Sequence, residues 1–139
     1  MIEVSIVPVK HLDIFWQQVE PILKPAAEES NGRYLIEDVY NYILNGSMIL
    51  WVAHDEGRII ASATTHKVDY PQKSVLAIGF WGGIEPLEVY GPPLLELLQK
   101  YARETGCVNI EGYGRGGWAR RLKDYGYVKS HEVFELPLI

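Results

Sequence analysis

Three β-forming runs follow one another between Met48 and Gly83 with no room for a helix among them, and this constrains the chain more than any other feature. MILWVAHDEGRIIASATTHKVDY reads as two strands, 48–54 and 58–68, joined by the turn-forming DEG. SVLAIGFWGG continues as a third strand at 74–81. Short joints between consecutive strands make them antiparallel neighbours. The middle of the chain is therefore a sheet, and the rest must cover it.

The flanking segments supply that cover. IEVSIVPV, residues 2–9, alternates as a first strand. Asp13 suits an N-cap for the helix that follows, and Pro21 and Pro25 predict a kink or break in it. Ile36, Val39, Tyr40 and Ile43 fall at helical spacing, with Gly46 as the stop. Pro92 and Pro93 suit the first turn of a helix over 93–105, whose stripe is Leu94, Leu98 and Tyr101 and which Gly106 ends. VNIEGYG is then a strand, GWARRLKDYG a short helix, and YVKSHEVFELPL a final strand. The order is β-α-α-β-β-β-α-β-α-β, an α/β (α+β) chain with one mixed, mostly antiparallel sheet flanked by helices.

Composition bounds the function. At 139 residues one domain, 1–139, is expected, and a chain of this size needs no metal or disulfide staple. The net charge of −5 argues against a general nucleic-acid binder, although Arg115, Arg120, Arg121 and Lys123 form a local basic run. The lone Cys107 excludes an internal disulfide and any multi-cysteine metal site, and fits a reducing cytoplasm. MIEVSIVPVKHLD has no basic start followed by an apolar core, so no signal peptide is expected. No apolar run approaches membrane-helix length.

In that order and with those lengths the chain resembles the GNAT family of N-acetyltransferases. KYARETGC followed by a strand looks like that family's third helix entering its fifth strand, and RRLKDYGYVKS like its last helix and final-strand entry. Leu50 to Ala53 and the Gly-Arg-x-Gly-Trp turn at Gly114 to Trp118 are similar to GNAT-like proteins encoded by tailed phages and prophages. The resemblance implies a GNAT fold, acetyl-CoA as cofactor, no metal, and a small-molecule or protein amine as acceptor. A second reading is a non-catalytic GNAT-like protein of phage origin acting on a phage or host protein partner, virion-associated or host-directed, which the acidic loops, the 12% of aromatic residues and a lost acid residue suit.

The family's pyrophosphate loop, Gln/Arg-x-x-Gly-x-Gly/Ala, falls on PLEVYG at 86–91, where only Gly91 matches. Glycines there would let backbone N–H groups approach the phosphates, and a helix N-terminus would add positive potential. Pro86 and Val89 stand at motif positions instead, Glu85 and Glu88 add negative charge, and Pro92 and Pro93 lack N–H groups. The position of the family's tyrosine acid falls on Leu122. Binding of acetyl-CoA in the usual mode is therefore not expected.

Candidate residues follow. Glu111 and Tyr113 share one face of the fifth strand, Glu111 as general base and Tyr113 as substitute proton donor. The structural alternative pairs Glu111 with Arg115 or Arg120. His66, at a strand end near Asp69, is a second base or a plain surface residue. GFWGG is a candidate β-bulge whose amides, around Ile78, Gly79 and Trp81, would hold a pantetheine arm, or it is only where the strand ends. Gly91 is the surviving loop glycine. Arg115 either grips a phosphate or carboxylate or fixes its turn. Trp118 is expected to plug the core and Cys107 to pack as a small apolar group. His11, His54 and His131 have no metal-site spacing.

Overall fold

The structure, a computed structural model, describes residues 1–113 and 116–138, with backbone alone over 116–119. Five strands, β1 (Ile2–Val7), β2 (Ile49–Asp55), β3 (Arg58–Asp69), β4 (Ser74–Gly83) and β5 (Asn109–Gly112), lie in the order β1-β2-β3-β4-β5. The first three junctions are antiparallel, and β4–β5 is parallel. Helices α1 (Leu12–Glu28), α2 (Ile36–Leu44), α3 (Leu87–Glu104) and α4 (Gly116–Lys123) complete the fold. The expected mixed sheet and element order are present through α4.

Alternation along the strands divides the core in two. Leu50, Val52, Ile59 and Phe80 pack with Val19, Ile22 and Leu23 of α1 and Val39 and Ile43 of α2. Trp51, Ala53, Ala61, Ala63 and Ile78 pack with Leu87, Tyr90, Leu94 and Leu98 of α3 on the other face. Three buried hydroxyls in β3 are all bonded. Ser62 donates to the Trp51 carbonyl (2.8 Å), Thr65 accepts Trp51 Nε1–H (2.8 Å), and Thr64 accepts the Phe80 amide (3.0 Å). A buried hydroxyl left without a partner would cost about 1–3 kcal/mol.

Three expectations need correction. Helix α1 runs unbroken from Leu12 with His11 as N-cap, so Asp13 lies in the first turn and Pro21 and Pro25 lie inside the helix. Both prolines are exposed, where water can satisfy the carbonyls that lose their N–H partners. Helix α3 begins at Leu87, which places Pro92 and Pro93 in its interior and turns 87–91 from loop into first turns. Its buried stripe Leu87, Tyr90, Leu94, Leu98 explains the early start, because each step buries apolar surface on the sheet. Residues 127–138, read as a final strand, carry no strand pairing, and Val133, Phe134, Leu136 and Leu138 are exposed.

The GFWGG segment is where helix and sheet approach most closely. Ala63 pairs with Trp81 but Thr65 with Ile78, so Gly79 and Phe80 together oppose Thr64 in a β-bulge. A side chain at Gly82 would overlap the Ile22 carbonyl oxygen of α1, and one at Gly83 would come within 2.7 Å of the Tyr90 ring. Gly82→Ala is therefore expected to destabilise the protein by about 1–3 kcal/mol through overpacking. Gly112→Ala, whose nearest foreign atom lies 4.0 Å away, should stay within about 0.5 kcal/mol of wild type. Urea unfolding midpoints of the two variants check the contrast.

Candidate active site

Register, rather than sequence spacing, assembles the candidate site. Thr65 faces α3, since it holds the Trp51 indole, so His66 faces α1 and α2. Leu76 and Ile78 belong to the α3 side, which puts Ala77 between them on the α1–α2 side. Ile110 packs on the α3 side, so Glu111 also points toward α1 and α2. The pairings His66↔Ala77 and Ala77↔Glu111 then place His66, Ala77 and Glu111 in one cross-strand row. With strands about 4.8 Å apart, His66 and Glu111 stand ~10 Å from each other at the backbone. Between them Ala77 contributes only a methyl group.

Tyr113 continues the same face just past the end of β5 and is 69% exposed. Its hydroxyl is held above the ordinary tyrosine value by partial burial, then by Tyr70, Glu111 and Tyr34, so it stays protonated. Tyr34, in the α1–α2 connection, meets Phe80 edge-on at 5.2 Å and Tyr42 at 6.1 Å. An aromatic wall thus borders the row on its helix side.

His66 lies inside β3, not at its end, and Asp69 does not serve it. Asp69 accepts from Ser74 Oγ and lies 3.6 Å from Lys67, and Ser74 is the main cause holding its carboxyl below the usual range. Burial lowers the His66 pKa, so the imidazole is neutral at pH 7. Its Nδ1 is buried with no hydrogen-bond partner among the described residues. A neutral imidazole can take up a proton at whichever ring nitrogen is bare.

The residues named for a cofactor divide. Strand β4 continues to Gly83 while β5 ends opposite Ile78, so the β4 edge beyond Ile78 borders a gap in the sheet. Gly79 forms the bulge, but the Phe80 amide there is taken by Thr64 Oγ1, and Ile78 is 5% exposed on the α3 face. Trp81 Nε1–H donates to Tyr90 Oη (3.2 Å). Gly91 is not a loop residue: it is buried in α3, with Leu87 Cδ1 2.9 Å from where its Cβ would be. Cys107 is buried, as expected. Arg115 lies outside the described residues, as does the side chain of Trp118. Among the described residues no cluster of metal-ligating side chains occurs.

Stability should report the state of His66. A folded pKa below the unfolded one means that the unfolded chain binds the extra proton, so this contribution is complete above about pH 6.5 and is lost as pH falls. His66→Gln should flatten the loss of melting temperature between about pH 7 and 5, as read by thermal denaturation across that range.

No protein-family model matches the chain, and no curated protein matches it in sequence. Solved structures do match in fold. An aminoglycoside acetyltransferase from an uncultured soil metagenomic sample, crystallised with sisomicin, superposes with TM-score 0.73 at 14% identity over 99% of this chain and 97% of that one. A GNAT family acetyltransferase from Staphylococcus aureus gives 0.70 at 15% identity over 99% and 98%. A transcriptional regulator from Bacillus halodurans gives 0.74 at 16% identity over 99% and 100%. End-to-end coverage of both partners in each comparison shows that the chain has the fold of the GNAT acetyltransferases.

Proposed function

We propose that the protein is an N-acetyltransferase that moves an acetyl group onto an amine. The observation that carries this reading is the His66–Ala77–Glu111 row beside Tyr113, next to the gap where β4 outruns β5. Acetyl-CoA would supply the thioester carbonyl that is attacked. An ammonium cannot attack it, so a base must first take a proton from the acceptor. Glu111 and neutral His66 share the α1–α2 face of the sheet, where an acceptor amine would have to lie for either to serve as its base, and a positioned base of this kind contributes about 10²–10⁴-fold. The departing sulfur needs a proton, and Tyr113, exposed and kept protonated, would give one where Leu122 cannot. Each transfer then leaves an amide and a free thiol: of the two protons the ammonium loses, the first stays on the base until water takes it, and the second, shed by the nitrogen after attack, restores the one Tyr113 gives to the sulfur. Half-buried Tyr34, backed by Phe80 in the core, favours an acceptor with apolar or cationic surface. Cytoplasmic action forms part of this proposal.

A second reading is a GNAT-like protein that acts through contacts alone, on a phage or host protein. It draws on the C-terminal segment, where Phe134, Leu136 and Leu138 are 87%, 81% and 91% exposed. Its phage component rests on Leu50 to Ala53 and the Gly114 to Trp118 turn.

Thiol release from acetyl thioesters, measured against a panel of primary amines that includes aminoglycosides, tests the enzymatic reading. Glu111→Gln should lower kcat by about 10²–10⁴-fold with an unchanged melting temperature, and Tyr113→Phe by a smaller factor. No thiol release with any amine would leave the contact reading in its place.

A further inference from the structure

Resting on the acetyl-transfer reading, we propose that the acyl donor is held through its thioester-bearing pantetheine arm alone and that the described residues form no seat for a nucleotide diphosphate. The start of α3 is where such a group would be sought, since helix N-termini offer unpaired amides and positive potential. Here the offer is small. The Val89 amide already donates to the Pro86 carbonyl (3.0 Å), and Pro86 itself, at the N-cap, carries no N–H. Gly91, which might have let a phosphate close to the backbone, is buried and gives its space to Leu87.

Side chains reinforce the exclusion. Tyr90 is 3% exposed, and its ring covers Gly83 while its hydroxyl accepts from Trp81, so the end of β4 is closed on the α3 side. A cavity of about 510 Å³ beside this helix start is lined by Asp55, Glu56 and Glu85 against the single Arg58, with Ile60 and Val89. Glu88 adds another carboxylate in the first helical turn. A diphosphate entering here would meet the three cavity carboxylates and Glu88 against Arg58, with the charge of Arg121 felt farther off at Tyr90, so like charge outnumbers opposite charge.

The opposite end of a thioester donor fares better. Pantetheine carries two amides, which can align with an open strand edge as an added strand does. Among the described residues the β4 edge beyond Ile78 pairs with no partner on the β5 side and is such an edge. A donor gripped there loses little when its nucleotide is removed. In an enzyme that grips the nucleotide, by contrast, truncation costs kcat as well as KM.

The experiment compares acetyl-CoA with S-acetyl-pantetheine on the full chain, by steady-state transfer to one amine and by calorimetry of CoA and pantetheine without an acceptor. The expected result is kcat/KM values within about threefold of each other and dissociation constants that differ by no more than that. A hundredfold or greater advantage for acetyl-CoA, with CoA binding at low micromolar concentration, would overturn the inference while leaving acetyl transfer standing. If neither thioester reacts and neither thiol binds, both this inference and the acetyl-transfer reading fall. Glu85→Gln combined with Glu88→Gln should raise CoA affinity and leave that of pantetheine unchanged, and an equal change in both would count against the proposal.

Discussion

One extra residue in β4 sets the phase of everything beyond it. Because Gly79 and Phe80 together oppose Thr64, Phe80 and Gly82 turn toward α1 while Trp81 and Gly83 turn toward α3. Without the bulge these positions would exchange faces, Phe80 would leave the core beneath Tyr34, and Gly82 could not admit the Ile22 backbone. The Thr64 hydroxyl holds the distortion by taking the amide that the ladder gives up. A polar atom buried in the middle of the sheet thus secures the helix packing on both sides.

Much of this architecture was legible in the sequence because local and global signals agreed. The β2–β3 turn lies where DEG placed it, with Glu56 at φ 50° and Gly57 at φ 82°, the left-handed geometry a tight hairpin needs. The start of α3 was misread for an identifiable reason. A Pro-Pro pair fits a first turn by local rule, but the burial available to Leu87 and Tyr90 outweighs the two helical hydrogen bonds the prolines forfeit. The final segment shows the reverse failure. Its strand-like residues offer a pattern, yet pattern alone does not supply a partner strand.

The candidate residues could be named from the sequence, but the row in which the sheet sets them could not. Glu111 and Tyr113 are two residues apart, so strand alternation puts them on one face. His66 comes 45 residues earlier than Glu111 and joins them only through the pairings of Ala77, which no linear spacing encodes. Sequence reasoning also passed over Tyr34 and Tyr90. Tyr34 lies in a loop, where periodicity says nothing, and Tyr90 lay in what was read as a loop. Aromatic residues are common on both cores and sites, so their type alone gave no signal.

Cys107 sits at the hinge of this arrangement. It follows Gly106, whose φ of 82° ends α3, and its amide bonds back to the Ala102 carbonyl at 2.8 Å while Val108 bonds to Ser74 at 2.9 Å. Widening the gap between β4 and β5 would strain this joint first. As the chain's single thiol, at 8% exposure, it is shielded when the joint is closed and open to reagents when the joint yields. Its labelling rate is therefore a clock for local opening, and the ratio to the rate of a free thiol gives the fraction of time the sheet spends unlatched.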